Sequence, residues 1–121
     1  MGESVAVLGA SSATERYANR AVRLLVLKGH TVIPVNPRHP EVEGLVCYPS
    51  LSSFAGTVDT VTLYVNSQTA LASADEIISA APKRVICNPG TEHPLLDQRL
   101  AKAGINVVHG CTLVMLNTAQ F

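Results

Sequence analysis

The sequence predicts an α/β domain with a doubly wound, mostly parallel five-stranded sheet and helices on both faces. Short apolar runs rich in β-branched residues alternate along the chain with segments of helical periodicity. Strands separated by helices run parallel and are joined by right-handed crossovers. Because the runs are apolar at nearly every position, both faces of the sheet are expected to be covered. The 121 residues suit one domain, spanning 1–121.

Strands are predicted where apolar runs are bounded by turn residues. The first run ends at Gly9, a polar, proline-rich loop follows the second at 36–43, and a short edge strand is expected at 45–47. This order of strands is typical of a Rossmann-like fold. The five main strands are predicted at residues 4–8, 31–35, 61–65, 85–87 and 105–108.

Helices are predicted from apolar stripes and from residues that favour helix ends. The first helix is expected to end at Gly29. The second has the clearest amphipathic pattern, with Ser67 or Thr69 as its cap and Pro82 at its end. The remaining signals are Pro94 and Gly104 at the two ends of a third helix, and Thr112 as the cap of a short fourth helix.

Composition disfavours several classes of protein. Lysine plus arginine total 9, as do aspartate plus glutamate, whereas nucleic-acid binding normally needs a basic surface. No apolar run approaches the roughly 18 residues of a membrane span, and the N-terminus lacks a signal-peptide pattern. Three cysteines without a close pair favour a reducing cytoplasm. We therefore expect a cytoplasmic protein that binds neither nucleic acid nor membrane, with a net charge of zero that is compatible with a homodimer.

The loop after the first strand is the first candidate binding site, because ligands of doubly wound folds bind beyond the carboxyl ends of the strands. Gly9 permits a tight turn, and the small residues Ala10-Ser11-Ser12 let phosphate oxygens approach backbone N–H groups near a helix N-terminus. Only the first glycine of the G-x-G-x-x-G pattern is present. A structural alternative is that Gly9 merely turns the chain while Ser12 and Glu15 form a capping box.

The end of the second strand discriminates between cofactors. An NAD site expects an acidic residue there to hold the ribose diol. This chain has Asn36-Pro37-Arg38-His39, and Glu41 follows only after a second proline. Arg38 and His39 favour a ribose that carries a phosphate, as in CoA or, as the alternative, NADP. Both residues can also lie on an exposed loop without a ligand.

Three segments carry a family resemblance: VAVLGASSATERYANRA, GHTVIPVNPRHPEVEGLVCYPSL and VDTVTLYV. Together they resemble the small CoA-binding domain family, single-domain proteins related to the N-terminal domain of the succinyl-CoA synthetase alpha subunit. The resemblance covers essentially the whole chain. It is strongest in the first loop with Glu15-Arg16, in Val35-Asn36-Pro37 and in Tyr48-Pro49-Ser50-Leu51.

The resemblance implies that the first loop lines the CoA phosphates and that 36–38 lie near the adenosine or its 3′-phosphate. It also implies that the third-strand exit flanks the nucleotide, although this chain has Asn66 where family members often have arginine. The synthetase's phosphorylated histidine belongs to a second domain without counterpart in these residues, so its reaction is not expected here. The candidate cofactor-binding residues are Gly9, Ala10, Ser11, Ser12, Arg16, Asn36, Pro37, Arg38, Tyr48, Asn66 and Ser67.

Four cysteine and histidine side chains near the ends of the later strands are candidate zinc ligands: Cys87, His93, His109 and Cys111. Cys87 and His109 are predicted at the carboxyl ends of neighbouring strands, where they can converge. The spacing matches no standard zinc finger, so we predict no metal site. Cys111 matches a cysteine after the last strand in many family sequences, and it is either a reactive thiol at a helix start or a packed side chain.

We therefore expect a protein that binds CoA or an acyl-CoA through its first loop, without catalysis of its own. Two alternatives remain open. One is an NAD(P)-binding oxidoreductase-like domain, for which 121 residues leave no substrate domain. The other is an interaction module that uses the same scaffold without a small ligand.

Overall fold

The structure, a computed structural model, describes residues 2–121. The strands are β1 (Ser4–Leu8), β2 (Thr31–Val35), β3 (Glu41–Val42), β4 (Leu45–Val46), β5 (Thr60–Leu63), β6 (Arg84–Cys87) and β7 (Asn106–His109). The helices are α1 (Tyr17–Leu27), α2 (Ser67–Ala72), α3 (Ala74–Ala80), α4 (Pro94–Lys102) and α5 (Thr112–Asn117), with a 3-10 turn at Leu51–Ser53.

The main sheet has five strands in the order β2-β1-β5-β6-β7. All four neighbouring pairs are parallel. β2 lies on one side of β1, and the chain then crosses back so that β5, β6 and β7 follow on the other side. The strand order therefore reverses between β1 and β5. The doubly wound, Rossmann-like α/β fold is thus confirmed, and the reversal defines where a ligand site is expected.

Side chains of the central strands alternate between two buried layers. In β1, Val5 and Val7 pack with Val22 and Leu25 of α1 on one face. Ala6 and its neighbours on the other face form a larger layer with α2, α3 and α4. Burial on both faces explains why the strands are apolar at almost every position.

The short strand predicted at 45–47 is not an edge of the main sheet. Leu45–Val46 pairs antiparallel with Glu41–Val42 in a separate hairpin. Its two-residue turn has positive φ at Glu43 (50°) and Gly44 (75°), the backbone that a tight hairpin requires. Tyr48, just after the hairpin, forms one parallel bridge with Val35 and covers the outer edge of β2.

The first helix begins later than a capping box would place it. Its N-cap is Arg16, without a side-chain hydrogen bond, so Ser12 and Glu15 do not cap it. The chain instead makes an eight-residue excursion between β1 and α1. Gly29 follows the helix with a φ of +89°, as its predicted end position requires.

The predicted second helix is divided at Ser73 into α2 and α3. Its cap is Asn66, whose Oδ1 accepts a hydrogen bond of 2.8 Å from the Thr69 amide, so the expected caps Ser67 and Thr69 are wrong. The third predicted helix is confirmed as α4, with Pro94 as its first residue and Gly104 beyond its end at a φ of +80°. The fourth is confirmed as α5, but its N-cap is Cys111 and the expected cap, Thr112, is its first residue. Within residues 2–121, no helix has the length and apolar character to cross a bilayer.

Candidate functional site

The loop after β1 lies directly against the ends of β2 and β5. The Gly9 and Ala10 amides both donate hydrogen bonds to the Val35 carbonyl, at 2.9 and 3.3 Å. Asn36 Nδ2 donates to the Ala10 carbonyl at 2.8 Å. Gly9 has a φ of +88°, and a Cβ there would lie 2.4 Å from the Tyr64 carbonyl oxygen. The glycine is therefore required both by its backbone angle and by the close approach of the β5 exit.

Asn19 in α1 holds the same loop from the opposite side. Its side chain is fully buried, and its Nδ2 donates to the Ser11 carbonyl at 2.8 Å and to Glu43 Oε2 at 3.1 Å. Arg23 Nε donates to Asn19 Oδ1 at 2.8 Å, which completes the bonding of the amide. Among residues 2–121, nothing accepts a hydrogen bond from the backbone amides of Ser11 and Ser12. The loop thus turns its carbonyls toward the protein and leaves these two N–H groups without an acceptor among the described residues.

A polar cavity of about 530 Å³ opens beside this loop at the N-terminus of α1. Its only formally charged lining groups are Arg16 and Arg38, and His39 stands 3.4 Å from Ser12 Oγ. Positive side chains, free amides and the helix N-terminus all favour bound negative charge. The lining residues are Gly9, Ser11, Ala13, Arg16, Tyr17, Ala18, Asn36, Arg38, His39 and Tyr64.

A second, apolar cavity of about 540 Å³ lies beyond Tyr17 and Tyr64, which line both spaces. It sits at the exits of β5 and β6 and at the start of α5, so the two cavities follow one another along the carboxyl edge of the sheet. Its lining residues are Tyr17, Tyr64, Val65, Asn88, Pro89, Gly90, Thr91, Cys111 and Leu113.

Asn88 fixes the inner wall of the apolar cavity. Its Nδ2 donates to Thr62 Oγ1 at 2.7 Å and to the Leu63 carbonyl at 2.8 Å. Its Oδ1 accepts a bond of 2.8 Å from the Thr112 amide at the first residue of α5. The hydroxyls of Thr62 and Thr112 are also 2.7 Å apart. This buried, fully bonded network ties three elements together at the edge where the cavity opens.

Tyr64 and Tyr17 separate the two cavities. The Tyr64 hydroxyl is buried next to the Thr112 side chain, and no residue in 2–121 forms a hydrogen bond of standard geometry with it. Burial raises the pKa of the Tyr64 phenol above its usual range, so the group stays protonated and able to donate. Tyr17 is largely exposed, and its ring lies 5.5 Å from the Arg20 guanidinium carbon.

The structure brings together some of the residues predicted to bind the cofactor and separates others. Those that line the polar cavity are Gly9, Ser11, Arg16, Asn36 and Arg38. Ala10, Ser12 and Pro37 belong to the same two loops without lining the cavity, Ala10 being buried. Their roles in binding stay predictions.

Three further candidates lie away from both cavities. Tyr48 packs edge-on against Phe54 with ring centres 5.2 Å apart. Asn66 uses its side chain to cap α2, and Ser67 is the first residue of that helix. None of the three lines the polar or the apolar cavity.

Sequence reasoning missed the two tyrosines as site residues and missed the whole 88–91 loop. A usable signal was present, because Asn88 directly follows a strand and polar side chains at that position of a parallel sheet face the ligand edge. For Tyr17 no such signal exists, since its position depends on how far the first loop extends before α1 begins.

The expected convergence of Cys87 and His109 is confirmed, since they are register partners on β6 and β7. Their third neighbour is Asp97 of α4, which the sequence did not indicate. His93 instead caps α4 by accepting a 3.2 Å hydrogen bond from the Leu95 amide, and Cys111 lines the apolar cavity.

Comparison with known proteins identifies the family of the chain. Residues 3–117 match the family described as CoA binding domain. The chain is 29% identical, over 128 aligned positions, to acetate–CoA ligase [ADP-forming] I of Archaeoglobus fulgidus. That alignment covers 94% of this chain but 18% of the ligase, so the chain spans less than a fifth of its curated relative.

Two solved structures illustrate the range of similar folds. A crystal structure of an uncharacterized protein is 44% identical, with a TM-score of 0.93 and coverage of 100% of this chain and 99% of that one. The dinucleotide-forming acetyl-coenzyme A synthetase 1 of Ca. Korarchaeum cryptofilum, in complex with phosphate and ADP, is 28% identical with a TM-score of 0.79. The similarity covers 89% of this chain and 25% of the synthetase. With nearly its whole length matched by one family, the chain belongs to the CoA-binding domain family.

Proposed function

We propose that the protein binds CoA or an acyl-CoA along the carboxyl edge of its sheet, without catalysis of its own. The observation that carries the proposal is that a polar and an apolar cavity adjoin each other and share Tyr17 and Tyr64 as lining residues. CoA has the same division, because its phosphates and nucleotide are followed by a long, weakly polar pantetheine arm.

The phosphates belong in the polar cavity. The free Ser11 amide and the N-terminus of α1 supply oriented N–H groups there. Arg16 and Arg38 add positive charge, one from each of the two loops. A charge-assisted hydrogen bond to phosphate typically contributes about 1.5–3 kcal/mol, so two arginines suffice to orient the nucleotide.

The pantetheine arm belongs in the apolar cavity, beyond the two tyrosines. Val65, Pro89 and Leu113 offer apolar contact there, and the Tyr17 and Tyr64 side chains line its border with the polar cavity. The end of the arm then approaches Cys111. A dinucleotide would instead need a second polar subsite for its other ribose.

A thermal-shift panel with CoA, acetyl-CoA, NAD and NADP tests the proposal. Ligand at about 100 times its Kd adds roughly 2.7 kcal/mol of stability, which corresponds to a rise of several degrees in Tm for a domain of this size. We expect this rise with CoA and acetyl-CoA and little change with NAD. A larger rise with NADP than with CoA would favour the oxidoreductase-like alternative. No rise in Tm with any of the four ligands would favour the alternative of an interaction module without a small ligand.

The absence of catalysis is tested separately with acetyl-CoA. Incubation with the protein is expected to release free thiol no faster than buffer alone, as measured with a thiol reagent against the Arg38→Ala variant and a protein-free sample. Release that saturates with acetyl-CoA concentration and falls in the variant would contradict a purely binding role.

A further inference from the structure

The polar and apolar cavities together form the proposed CoA groove. A cluster of chemically active side chains lies outside this groove, at the ends of β6 and β7. Cys87 and His109 are side by side in register, and Asp97 in the first turn of α4 lies above them. The Cys87 Sγ, an Asp97 carboxylate oxygen and a His109 ring nitrogen all lie within 4.8 Å of one another. None of these residues lines either half of the proposed CoA groove.

The two faces of the sheet explain the separation. Cys87 belongs to the buried layer under α3 and α4, whereas the following residue, Asn88, turns toward Thr112 and the apolar cavity. Cys87, the last residue of β6, and Asn88, which follows it, therefore point to different sides of the sheet. This places the cluster and the groove on different sides.

The two oxygens of the Asp97 carboxylate differ in their partners among the described residues. Asp97 Oδ2 stands 2.9 Å from His109 Nε2. Its other oxygen, Oδ1, is buried, and no residue in 2–121 forms a hydrogen bond with it. A buried carboxylate oxygen without a partner is costly and points to a missing positive group.

We propose that Cys87, Asp97 and His109 bind a zinc-class divalent cation, with the fourth coordination position open to solvent. Thiolate sulfur, imidazole nitrogen and carboxylate oxygen together are the donor set that Zn²⁺ accepts, and three protein ligands with one open position is a common zinc arrangement.

The geometry fits such an ion. Tetrahedral ligands about 2.0–2.3 Å from zinc are separated from each other by about 3.3–3.8 Å. The observed separations, from 2.9 Å for the Asp97–His109 pair to at most 4.8 Å within the cluster, lie on either side of that range. Side-chain adjustments are therefore enough to complete the site.

The surroundings favour a cation and provide it with an entry path. The Asp97 and Glu92 carboxylates lie near the Cys87 sulfur, and their negative charge favours a bound cation. The Cys87 thiol gives its proton to solvent as the sulfur–metal bond forms. His109 and Asp97 are 49% and 31% exposed and line a cavity of about 560 Å³ that opens to solvent.

Cobalt titration of the full chain, after removal of metal with EDTA, tests the site directly. We expect a thiolate-to-cobalt charge-transfer band, intense d–d absorption typical of four-coordinate cobalt, and displacement of both by one equivalent of Zn²⁺. Cys87→Ser should abolish the charge-transfer band. Cys111→Ser is the matched control, because this cysteine is more accessible but outside the cluster, and it should leave the band unchanged.

Asp97→Asn and His109→Gln keep the test valid if the Cys87 variant fails to fold, since both side chains are partly exposed. Each should weaken cobalt binding by at least about tenfold while the charge-transfer band remains at saturation, because even supporting contacts of a metal site contribute this much. The proposal is overturned if the wild-type chain shows no charge-transfer band, if Cys111→Ser removes it, or if neither Asp97→Asn nor His109→Gln changes the affinity.

Discussion

Asn36 joins the two loops of the proposed nucleotide site through a single side chain, because its Nδ2 donates to the Ala10 carbonyl at 2.8 Å. Its Oδ1 accepts a bond of 2.9 Å from the Arg38 amide. The first contact fixes the loop after β1, and the second fixes the turn that presents Arg38. Asn36 therefore couples the amides that would hold the CoA phosphates to the charge that would hold the ribose phosphate.

Replacing Asn36 with alanine should remove both hydrogen bonds. At about 1 kcal/mol for each net bond, we expect a loss of roughly 2 kcal/mol of unfolding free energy and a weakening of CoA binding. Urea denaturation and isothermal titration calorimetry measure the two effects. Asn117→Ala is the control, because this asparagine is exposed at the end of α5. Unchanged CoA affinity in a folded Asn36→Ala protein would show that the two loops do not need this link.

Gly9→Ala tests whether the first loop depends on close contact or only on backbone angle. Gly9 and Gly104 both have positive φ, at +88° and +80°, but a Cβ at Gly104 would meet nothing within 4 Å. We expect Gly104→Ala to cost about 1–2 kcal/mol for the left-handed backbone alone. Gly9→Ala should cost a further ~1–3 kcal/mol because its Cβ would overlap the Tyr64 carbonyl. Urea unfolding of both variants gives the comparison, and equal losses would contradict the contact argument.

Arg38→Ala tests the assignment of the ribose phosphate. Arg38 is exposed and lines the polar cavity without an ion-pair partner among residues 2–121. Loss of one charge-assisted contact, about 1.5–3 kcal/mol, should weaken CoA binding by roughly 10- to 100-fold. 3′-Dephospho-CoA should be much less affected, since it lacks the group that Arg38 contacts.

Calorimetric titration with both ligands separates these outcomes. Arg99→Ala is the control, because Arg99 of α4 pairs with Asp75 of α3 and lines neither cavity. An equal loss for CoA and for 3′-dephospho-CoA would move Arg38 from the 3′-phosphate to another part of the nucleotide.

The sequence predicted those parts of the fold that depend on local pattern. Burial on both faces gave the strands their continuous apolar runs, and Pro94 and Gly104 marked the ends of α4 by backbone rules alone. The hairpin at 41–46 was missed because two-residue strands are too short to show alternation. Its turn also places a positive φ on Glu43, a residue type that rarely adopts one.

The site was predicted less completely because it depends on contacts between distant segments. Gly9 and Asn36 stand directly after strands, and Arg38 follows two residues later, so the position of the sheet edge indicated all three. Tyr17 lines both cavities only because eight residues separate β1 from α1, a distance that no local pattern fixes. Asn66 stands at an equally suitable strand exit, yet its side chain is already used to cap α2.

Cys111 is the cysteine expected to report on occupation of the groove. Cys47 and Cys87 are buried, and burial raises the pKa of both thiols, so neither should react with iodoacetamide in the folded protein. Cys111 is partly exposed in the apolar cavity and should be labelled first.

Acetyl-CoA, which carries no free thiol, should slow this labelling of Cys111 about 100-fold at about 100 times its Kd, because only the free protein reacts. Mass spectrometry of peptides at timed intervals gives the rate at each cysteine, with denatured protein as the control for intrinsic reactivity. If acetyl-CoA raises the Tm but leaves the Cys111 rate unchanged, the pantetheine arm follows a path other than the apolar cavity.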